Sequence, residues 1–396
     1  MSNNAPLYKC FYGAEPKRKR KQGSGESKTE KPLLRQTTSD SDDYCSRFAT
    51  GKLPILKAKS NSFTVGTQTY TIVKELGIGS AGIVLEAQDP EGRHVAVKFM
   101  YSEDDDGPRR ELEMQHWLSC MLREKPPPAG AALVPELYFI AQYKKTRNTE
   151  TRFGVRGFDK VVPSCIVGAM EIVGDELEEL LDSQSDAQKA PIVRQVLKDV
   201  ATTLFHVNAL SIRPAFVHGD LHAQNVAYKI LDGRYQFYIL DLEFSELRQQ
   251  GHVVTADEDY YTERRDSHGY RNVGSAGNDL CTLCFSMAGH FSTPLRDLPQ
   301  LWRPISDILH LKANDETLGP FIQDHFLNTQ SPFYLGCNED DEDWPLKEED
   351  ADKSRSLWKE ISWQRGHTDP DVAAIFEPGH FMSTYIAPYE SRCVIS

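Results

Sequence analysis

Residues 77–98 read Gly77-Ile78-Gly79-Ser80-Ala81-Gly82-Ile83-Val84-Leu85-Glu86-Ala87, a polar turn, and then His94-Val95-Ala96-Val97-Lys98. Glycines at three of six positions let a backbone close over phosphates and offer amide N–H groups where a side chain would clash. In a dinucleotide-binding βαβ unit a helix follows the third glycine. Here a Val- and Ile-rich segment follows, so the turn joins two strands. Tyr70–Leu76, Ile83–Ala87 and His94–Phe99 are short, rich in β-branched residues and separated by Gly turns, which predicts three antiparallel strands. Lys98 ends a buried strand, and an unpaired ammonium is costly to desolvate. A phosphate on one side and a carboxylate on the other would offset that cost. Glu111, early in the next helix, is the best carboxylate. Glu113 is second, because two positions along a helix points elsewhere.

Downstream, Pro108 opens a helical pattern with Leu112, Trp117, Leu118 and Leu122. Two more strands are predicted around Leu137–Tyr143 and Val161–Val173, with a Pro-rich loop over Lys125–Ala132. Beyond Glu176 the chain turns mainly helical, over Glu176–Ser183, Ile192–Leu210 and Asp279–Gly289. One hairpin interrupts it, VAYKIL and RYQFYIL joined by Asp232-Gly233. The expected fold is therefore α+β, with a small antiparallel-sheet lobe before a larger helical lobe and a ligand between them. His218-Gly219-Asp220-Leu221-His222-Ala223-Gln224-Asn225 places Asp220 and Asn225 five apart in a loop. Sixteen residues on, Ile239-Leu240-Asp241-Leu242-Glu243 ends a strand with another carboxylate. Phosphoryl transfer needs a carboxylate near the acceptor hydroxyl and further oxygen ligands for magnesium, which this spacing can supply.

Gly77, Gly79, Gly82, Lys98, Glu111, Asp220, Asn225 and Asp241, in this order over residues 70–290, resemble the protein-kinase-like superfamily. The resemblance implies a two-lobed protein-kinase-like fold, with ATP and Mg2+ as cofactors. It puts nucleotide contacts at Gly77, Gly79, Ser80, Gly82, Val84, Ala96 and Lys98, with Lys98 paired to Glu111. Asp220 is implied as catalytic base, and Asn225 and Asp241 as magnesium ligands. Met170-Glu171-Ile172-Val173 resembles the hinge strand, with Glu171 and Val173 at the nucleotide base. Asp279 resembles the residue that braces the catalytic loop from the large lobe's central helix.

The chain departs from that pattern in places. Gly219 stands where protein kinases carry an Arg that pairs with a phosphorylated activation loop, and His222 where many Ser/Thr kinases carry a Lys. Asp-Phe-Gly is replaced by Asp241-Leu242-Glu243, and no Ala-Pro-Glu follows before Asp279. HGDLH with Asn225 and the DLE is similar to aminoglycoside and choline kinases. GIGSAGIVLEAQDPEGRHVAVKF is similar to ordinary protein kinases, and LDLEFSELRQQGHVV to haspin-type divergent ones. All charged catalytic positions remain, so the expected activity is phosphoryl transfer to a protein Ser/Thr hydroxyl. A small-molecule kinase and a nucleotide-binding pseudokinase scaffold are the alternatives.

The 396 residues are 39% hydrophobic and 26% charged, which excludes a fibrous repeat, a fully disordered chain and a polytopic membrane protein. Residues 1–60 carry 13 Lys+Arg against 6 Asp+Glu, a net of +7, within a chain of −13. The remainder is thus strongly acidic, and direct nucleic-acid binding is not expected. Residues 1–60 read as a disordered basic tail, with an import-type cluster at Lys17–Lys21 and hydroxyls before acids at Thr37–Asp43. The predicted domain spans 66–390, with a small lobe over 66–173 and a large lobe over 174–390. Residues 391–396 end in Cys393-Val394-Ile395-Ser396, the C-a-a-X form expected for farnesylation at Cys393. The start lacks the apolar core of a signal peptide, so the expected location is cytoplasmic or nuclear with reduced thiols, and prenyl-mediated membrane contact. Cys281 and Cys284 read as buried helix-face thiols rather than a metal site.

Overall fold

The computed structural model describes residues 53–59, 61–78, 82–100, 106–144, 164–210, 214–249, 252–255, 275–291, 298–314, 316, 319–327 and 374–390. Seven strands come first: β1 (Ile55–Lys59), β2 (Ser62–Val65), β3 (Gln68–Ile78), β4 (Gly82–Gln88), β5 (His94–Met100), β6 (Leu137–Lys144) and β7 (Ser164–Glu171). The five strands expected from sequence are β3 to β7, and their pairings are antiparallel.

The expected two-lobed kinase-like arrangement, with a small antiparallel-sheet lobe, is overturned here. The strands form a closed barrel in the order β1-β2-β3-β4-β5-β7-β6, with helices after it. Closure comes from β1 and β2. The β1-β2-β3 meander carries β1 onto the free edge of β6, where Ile55 pairs with Gln142 and Leu56 with Tyr143 in parallel. Closing the ring pairs the N–H and C=O groups that two open edges would expose. The interior is filled rather than hollow. Phe63 of β2 stacks on Tyr70 at 5.1 Å and meets Phe99 edge-on at 6.1 Å, and Tyr70 packs against Phe139 at 5.2 Å. β1 also lies inside residues 1–60, the stretch read as tail. The rest of that tail up to residue 52, its basic cluster, and the terminal residues 391–396 with Cys393 lie outside the described residues.

α1 (Asp106–Glu124) packs against β6 and β7 of the barrel. A Cβ on Gly168 of β7 would stand 2.6 Å from Leu112 Cδ2, so the glycine is what lets the helix approach. The following part is mainly helical: α2 (Leu177–Ser183), α3 (Asp186–Leu210), α4 (Ala276–Ala288), α5 (Pro299–Lys312), α6 (Gly319–Ile322), α7 (Pro378–Phe381) and α8 (Ala387–Glu390). One core joins Met114, Leu118 and Leu122 of α1 to Val196, Leu197 and Val200 of α3 and Leu280 and Leu283 of α4. A separate cluster packs Leu112 of α1 against Met100, Leu137, Ile140 and Ile166 of the barrel, so α1 buries apolar surface on both sides and ties barrel to helices. Two small sheets sit among the helices: β8 (Asp175–Glu176) with β10 (Val226–Leu231) and β11 (Arg234–Ile239), and β9 (Pro214–Val217) with β12 (Glu246–Gln249) and β13 (His252–Thr255). Among the described residues no helix is long and apolar enough to cross a membrane. Cys165, Cys281 and Cys284 are buried free thiols, whereas Cys120 is disulfide-bonded, a departure from the expectation of thiols reduced throughout.

Candidate functional site

Lys98 lies in β5, in register with Val84 of β4 and Gly168 of β7. Because Gly168 admits Leu112, the adjacent Glu111 reaches the lysine. Lys98 Nζ donates to Glu111 Oε1 at 2.7 Å and to Asp241 Oδ1 at 3.2 Å. Burial alone would lower the Lys98 pKa, but the Asp241 and Glu111 carboxylates outweigh it and raise it, so the ammonium stays charged. Burial pushes the Glu111 carboxyl up, against the pull of Lys98. Asp241 also suffers burial, yet Lys98 holds it below the usual carboxylate range. Glu113 points away, as expected, and pairs with Arg109 at 2.7 Å.

The loop from His218 to Asn225 joins β9 to β10. Asp279 of α4 accepts from the backbone N–H of His218 at 2.8 Å and of Gly219 at 3.0 Å, which is the bracing contact expected of it. His218 Nε2 donates to Leu240 O at 2.7 Å, and its Nδ1 faces the Asp220 N–H at 3.3 Å. A carbonyl can only accept and an amide N–H only donate, so these partners select the neutral ring protonated on Nε2. Burial lowers the His218 pKa in the same sense. Asn225 Nδ2 donates to Asp220 O at 2.8 Å and contacts His222 Nε2 at 2.9 Å, so these contacts leave the Oδ1 oxygen for a ligand. His222 Nε2 also lies 3.5 Å from Asp220 Oδ2. The loop is tied to the Asp241 turn because Leu240 N–H donates to Asn225 O at 2.9 Å. Asp241 itself adopts φ +55°, and its side chain is 42% exposed against 18% for Lys98. Lys98 takes the Oδ1 oxygen of Asp241, whose side chain remains partly open to solvent.

Lys98, Glu111 and Asp241 thus share one cluster, and Asp220, Asn225 and His222 a second, joined through Leu240. The nucleotide-contact candidates line the barrel side. Gly77 pairs with Val84, and Ala96 is buried between Glu86 and Met170 in the ladder. A Cβ on Gly82 would stand 1.9 Å from Phe99 O, so only glycine fits there. Glu171 ends β7, and Val173 packs against Ala227 and Tyr238. Gly79 and Ser80 lie outside the described residues.

Contacts not foreseen are Ser245 Oγ to His218 O at 3.1 Å, Ser286 Oγ accepting from Ala223 N–H at 2.9 Å, and a grip of Lys229 and Tyr238 on Glu171. Isolated serines and a strand lysine carry no signal that would single them out. Among the described residues no group of three or more His, Cys, Asp or Glu could hold a metal ion. No protein-family model matches the chain, and no curated protein matches it.

Proposed function

We propose that the chain is an ATP- and magnesium-dependent phosphotransferase acting on a Ser/Thr hydroxyl of a protein substrate. One observation carries the reading: a half-buried lysine gripped at once by Glu111 and Asp241, carboxylates from distant stretches, beside a loop that offers Asp220 and Asn225 Oδ1. Two carboxylates around one ammonium give it a fixed direction, and a fixed cation is what a triphosphate requires. The donor set fits magnesium, which takes one or two carboxylates plus phosphates and waters rather than a full protein cage. Asn225 Oδ1 and the partly open Asp241 carboxylate would hold it, and when bound it would neutralise charge on the β- and γ-phosphates. Asp220 would accept the proton of the acceptor hydroxyl as that oxygen takes the γ-phosphoryl group and ADP leaves. The backbone at Glu171 and Val173 would read the base, and Gly77 to Gly82 would cover the phosphates.

Transfer to a small alcohol is a second reading, favoured by Gly219. Its φ of +84° and a Cβ position 2.3 Å from Phe244 O exclude an arginine at this point, and with it control through a phosphorylated loop by that route. The deciding experiment incubates purified protein with ATP and magnesium, scoring transfer to itself, to peptides and to small alcohols. Asp220→Asn should abolish it, and an unchanged rate in that variant removes Asp220 from its role.

A further inference from the structure

The segment after β7 is tied to the strand that leaves the Asn225 loop. Glu171 Oε1 accepts from Lys229 Nζ of β10 and, at 3.3 Å, from Tyr238 Oη of β11. The same ammonium lies 5.3 Å over the Tyr238 ring. Tyr238 is buried, and burial together with the Glu171 charge keeps its phenol protonated as a donor. Two residues beyond Val173 the chain pairs with β10, Asp175 with Tyr228 and Glu176 with Ala227. Between clamp and ladder, Gly174 adopts φ +84°, and a Cβ there would stand 2.2 Å from Tyr228 O. Residues 171–176 are therefore held at both ends against a strand that starts directly after Asn225.

We propose that Glu171, Lys229 and Tyr238 are positioning residues that fix the base-reading backbone at a set distance from Asn225 and Asp241, so that nucleotide meets a preorganised site. This rests on the phosphotransferase reading. The Lys229 and Glu171 side chains are 27% and 29% exposed, and ion pairs so open to water add little to fold stability. Their value lies in sparing the ordering cost at the moment of binding. The clamp also occupies the Glu171 carboxylate, and the Glu171 N–H is taken by Glu136 O at 2.8 Å, so contact with the base would fall to the remaining backbone groups between Glu171 and Gly174.

The test measures ATP–magnesium affinity by calorimetry, KM and kcat by steady-state transfer, and the thermal midpoint, on the full chain. Lys229→Met should weaken affinity and raise KM roughly three- to tenfold while kcat and midpoint stay near wild type, since a partly exposed charged contact is lost. Lys229→Arg should restore KM. Tyr238→Phe, which removes only a hydroxyl, should move KM the same way by less, and it carries the test if Lys229→Met does not fold. Wild-type KM in both Lys229→Met and Tyr238→Phe, or a fall in kcat alone, overturns the clamp. A wild-type protein that binds no nucleotide overturns the phosphotransferase reading and the clamp's purpose with it; the wild-type arm tells the two failures apart.

Discussion

Replacing Gly219 by alanine should destabilise the protein far more than the same change at Gly233, although both glycines have left-handed backbone. Gly219 has φ +84° and Gly233 φ +76°, so each alanine costs about 1–2 kcal/mol for placing a side chain in that region. Surroundings separate them. At Gly219 the new Cβ would stand 2.3 Å from Phe244 O and 3.1 Å from its carbonyl carbon, whereas at Gly233 nothing lies within 4 Å. The obstacle at Gly219 is backbone, which cannot rotate aside as a flexible side chain can. Forcing it adds about 1–3 kcal/mol of overpacking strain. Gly219→Ala should therefore cost about 2–5 kcal/mol in total. The shift also displaces the Gly219 N–H from Asp279, 3.0 Å away, so transfer activity should fall as well. Urea unfolding of wild type and both variants, with midpoints compared at matched slopes, measures the difference. Equal midpoints for the two alanine variants would refute the crowding argument, and a Gly219→Arg variant with normal stability would refute it more forcefully.

Asp279→Asn keeps the shape of the brace but presents an NH2 group to one of two buried backbone donors, at His218 and Gly219. It should cost about 1–3 kcal/mol by denaturant midpoint, with a fall in kcat. His218 gives a pH signature: its folded pKa lies below the unfolded value near 6.5, so between the two the unfolded chain binds more protons. Wild type should thus lose stability as pH falls from 7 towards about 5, relative to a His218→Gln variant that cannot titrate there; a wild-type-minus-variant difference flat with pH counts against a buried neutral ring.

The parts of the fold that sequence disclosed are those whose partners lie close in the chain. β3 to β5 follow one another across Gly turns. The β10–β11 hairpin is announced by Asp232-Gly233, and both residues adopt positive φ, as a tight two-residue turn requires. The barrel was not legible because its closure is non-local. β1 has five residues, too few for a period, and pairs with β6, 87 residues on, Ile55 with Gln142. Phe63 reads as a lone aromatic in a polar stretch, and only the ring of strands around it makes it the filler of the interior.

The Lys98–Glu111 pair was legible for a different reason: a lysine inside a Val-Ala-Val strand needs compensation wherever it folds, and the next helix opens with a carboxylate. Its second contact, with Asp241 at a separation of 143 residues, was not foreseen, because that carboxylate reads from sequence only as a metal ligand. Backbone-determined features send no such signal. Gly219 reads as a missing arginine, yet it is the residue the turn demands. Asp241 gives no hint of its φ of +55°. These two positions bracket the link in which His218 Nε2 donates to Leu240 O at 2.7 Å and Leu240 N–H donates to Asn225 O at 2.9 Å. The relative placement of the proposed base and metal ligands is thus carried by main-chain geometry. Substitutions that alter φ or crowd the backbone there should disturb the site even when every charged side chain is kept.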